Sequence, residues 1–469
     1  TRSQKTRHPV DARPQCPICG DSILFTLSVN KPIVVQNTVT EINSGKADTS
    51  YDPELTWEKF KHLADPVTGI VSSIYPISEN IESSIFVHKA QFIMQPTIDQ
   101  LYKGVPLIQT CFGKGKTFNQ SRTSALCEVL ERYCSIFHGD EPKIRESYKN
   151  LEPDAILPES LINYSMNQYN NSEYPGSPDS HPQNMNIQIY HSEEFIDWTQ
   201  AWSLTYNKVR FLPFSFCYGY APISPEKMVC FWSTNGNAAG NTMEEAIING
   251  FLELVERDSV AIWWYNRISS PEINLDSFDD EYFHKIKKYC KINNWDTWCL
   301  NLTTDLTIPS VVALARHKRS KNYFAGFGAH FSMRTAVNKA LSELSQVLGP
   351  TGQIPFFWNE KDIEDTHFLM SSGTEYCSDQ ENHRWKELSG MQETITHCID
   401  ILKVNSLEII VLNLTRPDIS FPVVKVIVPG LRHFWRNLGS GRLYDIPLKM
   451  KWITQRNQEH DLNPINLTL

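Results

Sequence analysis

Between Thr242 and Asn266 apolar residues fall on nearly every helical face: Ile247, Ile248, Phe251, Leu252, Leu254, Val255, Ile262, Trp263 and Trp264. A helix apolar all round is expected to be buried. One narrow stripe interrupts it, because Glu245, Asn249, Glu253 and Glu256 recur at i, i+4, i+8 and i+11 and so stack on one line. A small-residue turn, Gly236 to Thr242, leads in; Thr242 reads as the N-cap, with Glu245 completing a capping box. Carboxylates gathered on a buried helix repel one another and are costly to desolvate, so the stripe demands cations.

The same reading places the other elements. Val34 to Val39, Gly69 to Tyr75, Ile85 to Met94 and Leu107 to Phe112 read as strands, with a short helix over Thr56 to Leu63. Gly113-Lys114-Gly115-Lys116-Thr117 reads as a turn, followed by a helix from about Gln120 to Phe137. Its apolar side is Leu126, Val129, Leu130 and Tyr133; Glu128 and Glu131 lie opposite. Residues 139–195 are rich in Pro, Ser, Asn and Tyr and read as an inserted, partly mobile loop region. Strands are expected over Val209 to Tyr220, Met228 to Ser233, Trp298 to Leu302, Ser310 to Arg316, Tyr323 to Phe331, Leu407 to Leu414 and Val423 to Pro429. Helices are expected over Asp279 to Asn293, Arg334 to Leu348 and Trp385 to Val404, and the tail from Gly430 shows little helical pattern. The irregular alternation predicts a mixed α/β (α+β) fold rather than a doubly wound sheet.

Length and composition narrow the class. The 469 residues allow two or three domains or subdomains with a large core. A net charge of −9 argues against nucleic acid as a whole-surface partner, and no apolar run is long enough to span a bilayer. No signal peptide is visible, and eleven cysteines are too sparse for a disulfide framework, which favours reduced, cytoplasmic thiols. The first residue is Thr1 rather than Met, which leaves room for a removed start or an upstream domain.

Two helices each carry Glu-x-x-Glu-Arg: Glu128, Glu131 and Arg132, then Glu253, Glu256 and Arg257. Spacing of i, i+3 lets both carboxylates reach one locus, and two such helices face to face can grip Mg2+ with phosphate oxygens, the arginines forking onto phosphate. For the first helix alone a solvated acidic face is the blander reading; the second has little surface free for water. Gly113 to Thr117 lacks the spacing of a P-loop. Cys16-Pro17-Ile18-Cys19-Gly20 is half of a structural zinc site or a free-thiol turn, since no second CxxC exists. The cysteines and histidines show no local nucleophile pair.

Taken together these motifs resemble the YcaO family. The resemblance rests on S-x-x-x-E-x-x-E-R from Ser124 to Arg132, A-A-G-N-T-x-E-E-A from Ala238 to Ala246, and E-L-x-E-R-D from Glu253 to Asp258. Ala340-Leu341-Ser342-Glu343 with Gln346, and Val426 to Leu431, extend it. It is similar above all to the azoline-forming cyclodehydratases of ribosomal peptides. The resemblance implies a YcaO catalytic domain over 55–469 with a variable insertion at about 139–195, and an ATP site between helices and mixed sheets. Residues 1–40 would be a linker or the end of a zinc-bearing, ubiquitin-activating-enzyme-like domain. It implies Mg2+ on Glu128, Glu131, Glu253 and Glu256, and ATP contacts from Lys114, Ser121, Ser124, Asn241, Glu245 and Arg257, with Glu256 and Arg257 central to catalysis. Lys116 is an equally basic neighbour of Lys114. Cys16 and Cys19 would hold Zn2+.

The implied reaction is ATP-dependent ring closure of Cys, Ser or Thr onto the preceding amide of a precursor peptide. Expected partners are that peptide, a leader-binding protein or N-terminal domain, and a second copy in a homodimer. Rival readings are thioamidation with an external sulfur donor and a non-catalytic nucleotide-binding scaffold. One departure stands out: family members often end in P-x-P-x-P, whereas Asn463 to Leu469 has a single proline.

Overall fold

The computed structural model describes residues 8, 12–16, 18–36, 52–80, 85–94, 106–170, 187–224, 227–348, 358–373 and 390–467. Three antiparallel sheets and a set of interposed helices make up an α+β fold. The first sheet is β1 (Val71–Asn80), β2 (Ile85–Ile93) and β3 (Ile108–Gly115), in that order. The largest is ordered β4 (Ile144–Ser147), β5 (Phe195–Ser203), then two strands from the C-terminal half, β12 (Ile410–Asn413) and β13 (Val423–Ile427), then β7 (Asn237–Ala239). Strand β6 (Lys208–Pro213) pairs with β5. The third sheet is β11 (Trp358–Asn359), β10 (Asn322–Ala329), β9 (Ser310–His317) and β8 (Trp295–Asn301).

The helices of seven residues or more are α1 (Ile23–Val29), α2 (Pro53–Phe60), α3 (Phe118–Ser135), α4 (Met243–Asn266), α5 (Glu281–Ile292), α6 (Met333–Leu348), α7 (Met391–Val404) and α8 (Arg442–Lys449). Pro53 at the first turn of α2, after the Asp52 cap, sits where a missing N–H costs nothing. Helix α4 lies between the second and third sheets, touching β7 and β13 on one side and β9 and β10 on the other. That sandwiching explains its all-round apolar surface: Ile247, Phe251, Val255, Ile262, Trp263 and Trp264 are almost fully buried. Each such large side chain contributes about 2–3 kcal/mol on leaving water. Helix α3 covers the first sheet and α6 covers the third.

Several sequence expectations change. Gly113 to Thr117 is not a turn, because β3 runs through Gly115. A Cβ on Gly113 would lie 2.0 Å from Ala125 N and 2.3 Å from Ser121 O, so this glycine permits close helix–strand contact rather than a bend. Residues 34–36 form no strand, and 37–39 lie outside the described residues. Strand β6 stops at Pro213 and a helical turn, Phe214–Cys217, replaces its expected continuation. Met228 to Ser233 is irregular. The region 139–195 supplies β4 and three short helices and buries Ala155, Ile162 and Tyr190, so its described part is not a loose loop; 171–186 lies outside the described residues. The tail holds α8, hidden from periodicity by its eight residues and by Pro447 within it. Of the helix expected over Trp385 to Val404, residues 385–389 lie outside the described residues.

The N-terminal segment is part of this core. Phe25 and Val29 of α1 pack with α3 and β12 residues. Arg13 donates to the Tyr133 hydroxyl on α3 at 2.5 Å, and the fully buried Arg416 donates to Gln15 and Asp140 at 2.8 and 2.7 Å. Among the described residues every cysteine is a free thiol, and no helix is long and apolar enough to cross a membrane.

Candidate active site

Carboxylates of α3, α4 and α6, the three walls of the candidate site, lie within one another's field, and β7 touches both α3 and α4. Thr117 caps α3 by accepting from Gln120 N, and Thr242 caps α4 by accepting from Glu245 N. The expected capping box is not closed. Glu245 turns its carboxylate back one residue further and accepts from Asn241 N at 2.7 Å, while Asn241 Oδ1 accepts from the Thr56 hydroxyl. Asn241 and Glu245 therefore brace the entry turn of α4 against α2.

The polar stripe faces inward. Burial pushes Glu131 well above the usual carboxylate range, with Glu128 and Glu253 adding repulsion and Arg132 and the Ala239 N–H opposing. Burial likewise raises Glu253 to about 7, helped by Glu256 and Glu128 and opposed by Arg257 and Arg132. Glu256 is also raised by burial; Arg257 opposes most strongly, Glu343 adds repulsion, and Lys339 and Lys114 oppose. Carboxylates from all three walls thus feel one another. Glu128, Glu131, Glu253, Glu256 and Glu343 meet Arg132, Arg257, Lys114 and Lys339 in this group.

The arginines differ. Arg132 binds Glu128 at 2.9 Å on its own helix. Arg257 approaches Glu253 and Glu256 only at 3.6 and 3.8 Å. Its Nε and Nη1 are buried, and neither has a hydrogen-bond partner among the described residues. A buried guanidinium with unused donors beside acidic groups needs an acceptor, and phosphate oxygens match its fork. Its flat face lies 4.3 Å from the Phe434 ring centre.

Lys114 in β3 and Lys116 just after it also part company. Lys114 Nζ stands 3.7 Å from Glu343 Oε1, on the cleft side. Lys116 Nζ donates to Asn338 of α6 at 2.6 Å and lies 4.5 Å above the Tyr282 ring. Ser124 is half-buried one turn before Glu128. Ser121 is fully buried, its hydroxyl shared between Phe118 O and His88 Nδ1. Cys127, beside Ser124, is pushed up to about 12 by burial and by Glu245, Glu131 and Glu128, so it stays a neutral thiol.

Among the described residues no three His, Cys, Asp or Glu side chains converge into a metal cage. Mg2+ takes carboxylates together with water and substrate phosphate rather than an all-protein cage. The donor set and the unused Arg257 donors fit a Mg2+–nucleotide pair. Cys16 and Cys19, the expected zinc ligands, lie with sulfurs 3.4 Å apart, and no third ligand joins them among the described residues.

Sequence reasoning passed over two contributors, Lys339 and Lys425. Lys339 and Glu343 lie on α6, where only a motif match marked Glu343. Lys425 interrupts the apolar run of β13, and that lone charge was the available signal.

A family model described as YcaO cyclodehydratase, ATP- and Mg2+-binding, matches residues 112–432, the span holding all three walls. The chain belongs to the YcaO family. Among solved structures this YcaO chain is similar to a heterocyclase in complex with substrate and cofactor, with 34% identity and a TM-score of 0.89. The match covers 98% of this chain and 62% of that one, so the YcaO chain spans less than two thirds of that heterocyclase's length. The YcaO protein of Methanopyrus kandleri, solved with AMPPCP and Mg2+, shares the fold at 21% identity and a TM-score of 0.62, covering 85% of this chain and 96% of that one. An uncharacterised protein of Methanothermobacter thermautotrophicus is 28% identical over 346 residues, 69% of this chain and 81% of its own.

Proposed function

We propose that this YcaO chain catalyses ATP-dependent cyclodehydration of Cys, or of Ser or Thr, in a ribosomally made precursor peptide. The observation that carries the reading is Arg257: a half-buried guanidinium whose buried Nε and Nη1 have no hydrogen-bond partner among the described residues, set beside raised carboxylates of α3 and α4. The likeness to a heterocyclase bound to substrate and cofactor supports it.

In this reading the thiol or hydroxyl of the peptide attacks the preceding amide carbon. The nucleophile gives up its S–H or O–H proton, the amide oxygen takes the γ-phosphoryl group as ADP leaves, the C–O bond breaks to release phosphate, and loss of the amide N–H proton leaves the C=N of a thiazoline or oxazoline. An amide oxygen leaves poorly as hydroxide and well as phosphate, which is why ATP is needed. Glu128, Glu131, Glu253 and Glu256 would hold Mg2+, which supplies charge neutralisation at the phosphates. Arg257 forks onto the transferring phosphoryl group, Lys114 reaches a phosphate oxygen, and Ser124, Asn241 and Glu245 orient the nucleotide. Ser121 acts through the start of α3, since its hydroxyl is already engaged. Residues 55–469 form the catalytic unit, and a leader-binding partner or N-terminal domain meets the 1–40 segment; a homodimer in the cytoplasm completes the reading.

Incubation with a precursor peptide, its leader-binding partner, ATP and Mg2+, read by mass spectrometry, tests this. Loss of one water per ring is expected. A gain in mass from exchange of oxygen for sulfur would point to thioamidation instead. Absence of ATP turnover with every peptide and partner combination would leave only a scaffold.

A further inference from the structure

We infer that Lys425 is a positioning residue of this cleft, fixing the Ser233–Asn237 turn from beneath and placing a buried positive charge under the carboxylates of α3 and α4. The inference rests on the ATP–Mg2+ reading of the site.

Lys425 is fully buried in β13, between Val424 and Val426. Its ammonium donates to Ser233 O at 2.7 Å, Asn235 O at 3.1 Å and Asn237 Oδ1 at 3.3 Å. All three acceptors belong to one short turn, and none is a carboxylate. Burying an ammonium on neutral acceptors is costly where an apolar side chain would pack. The cost is reasonable only if the charge or the turn has a use.

The turn is held tightly. Gly236 has φ +76°, and a Cβ there would lie 2.1 Å from Val426 O. Val426 N donates back to Gly236 O at 2.8 Å. A Cβ on Gly250 of α4 would lie 2.7 Å from the same Gly236 O. The turn is therefore wedged between β13 and α4. It continues into β7, which pairs Ala238 with Val424 and Ala239 with Val423. Ala239 then serves both walls: its N–H supports Glu131 of α3, and its carbonyl accepts from Asn249 of α4 at 3.4 Å. A shift of the turn shifts Glu131 and Asn249 together.

The charge acts in the same direction. Burial pulls Lys425 down to about 8, while Cys217, Glu253 and Glu131 oppose that pull. The ammonium therefore sits within the field of Glu131 of α3 and Glu253 of α4. The Phe216 ring, 5.1 Å from it, closes the opposite side.

The test compares binding of AMPPCP with Mg2+ by isothermal titration in wild type, Lys425→Gln, Asn237→Ala and a packing control on the same strand, Ile427→Ala. Circular dichroism confirms that each is folded at the working temperature. Lys425→Gln is expected to bind about 10-fold more weakly or worse and to need more Mg2+, Asn237→Ala about 3-fold more weakly, and Ile427→Ala as wild type, because a merely structural role would lower all melting points alike. Wild-type binding by Lys425→Gln, or equal losses in all three variants, overturns the inference. If Lys425→Gln does not fold, Asn237→Ala decides, and wild-type binding there overturns it. If wild type itself binds no AMPPCP with Mg2+, the ATP reading of the cleft fails instead.

Discussion

Arg257 rests its guanidinium face on the ring of Phe434, 4.3 Å from the centroid, with Nε and Nη1 buried and unpartnered among the described residues. A cation held by a ring on one face can present its edge to phosphate without rotamer search. Arg257→Lys keeps the charge and loses the fork and the stacking, so ATP turnover should fall by about 10²-fold, the size of losing one transition-state donor. Steady-state ATPase assays with peptide check this, and turnover within about 3-fold of wild type would remove Arg257 from the proposed role.

Glu253 links the site to stability. Its carboxyl is raised from 4.5 to about 7 by burial and neighbouring charge. The folded state therefore holds this proton more tightly than the unfolded chain. The sign follows: the group costs nothing below about pH 4.5, and its cost grows as pH rises to about 7, reaching up to about 3 kcal/mol above that. Without metal, Glu253→Gln should melt higher than wild type at pH 8 and nearly the same at pH 4.5. With Mg2+ and ATP the order should reverse, because wild type gains a ligand that the glutamine variant cannot hold, and ATP turnover should be abolished. Thermal melts at both pH values, with and without Mg2+–ATP, measure all of this.

Much of this was legible from periodicity alone. Helix α4, α3 with its glutamates, α5, α6 and strands β8 to β10 follow strong 3.6- or 2-residue patterns, which tertiary packing has no reason to override. The reading failed where one residue type has two physical uses. Gly113 looked like a turn former, but it is a strand glycine that clears the backbone of α3. Lys425 went unread, since nothing local says that its side chain reaches back to the 233–237 turn. The site brings together elements far apart in sequence; the repeated Glu-x-x-Glu-Arg pattern pointed to α3 facing α4, but no spacing showed that α6 and Glu343 join them.

Lys114 and Lys116 were indistinguishable by sequence, and the structure separates their surroundings. Lys114 faces Glu343 at 3.7 Å, with Glu256 in its field. Lys116 is engaged by Asn338 and by the Tyr282 ring. Lys114→Ala should raise the KM for ATP by about 10-fold, one phosphate contact's worth. Lys116→Ala should leave ATP kinetics within about 2-fold and lower stability by about 1 kcal/mol through the lost cation–π contact and hydrogen bond. Kinetics and urea melts of the two variants together give the answer; an equal KM effect in both would show that β3 acts as a unit.

The tail reaches Arg257 by an indirect route. Asn463 N donates to Tyr265 O at 2.8 Å, Trp264 Nε1 donates to Ile465 O at 2.8 Å, and Leu467 is fully buried. This docking uses a single proline and fastens the last turns of α4. The Tyr265 hydroxyl donates to Phe434 O at 2.8 Å, and Asn466 Oδ1 lies 3.3 Å from the same hydroxyl. Tail, Tyr265, Phe434 and Arg257 thus form one connected series. Tyr265→Phe removes only the hydroxyl, so the ring still packs and the cost should be about 1–2 kcal/mol. If the series positions Arg257, the variant should keep its AMPPCP affinity within about 3-fold while kcat falls by about 10-fold, because the arginine matters most at transfer. Leu467→Ala should instead cost about 2–4 kcal/mol by leaving a cavity, and lower kcat to a similar degree. Single-turnover ATP hydrolysis in both variants, beside equilibrium AMPPCP binding, separates the two quantities. An unchanged kcat in Tyr265→Phe would confine the tail to stability.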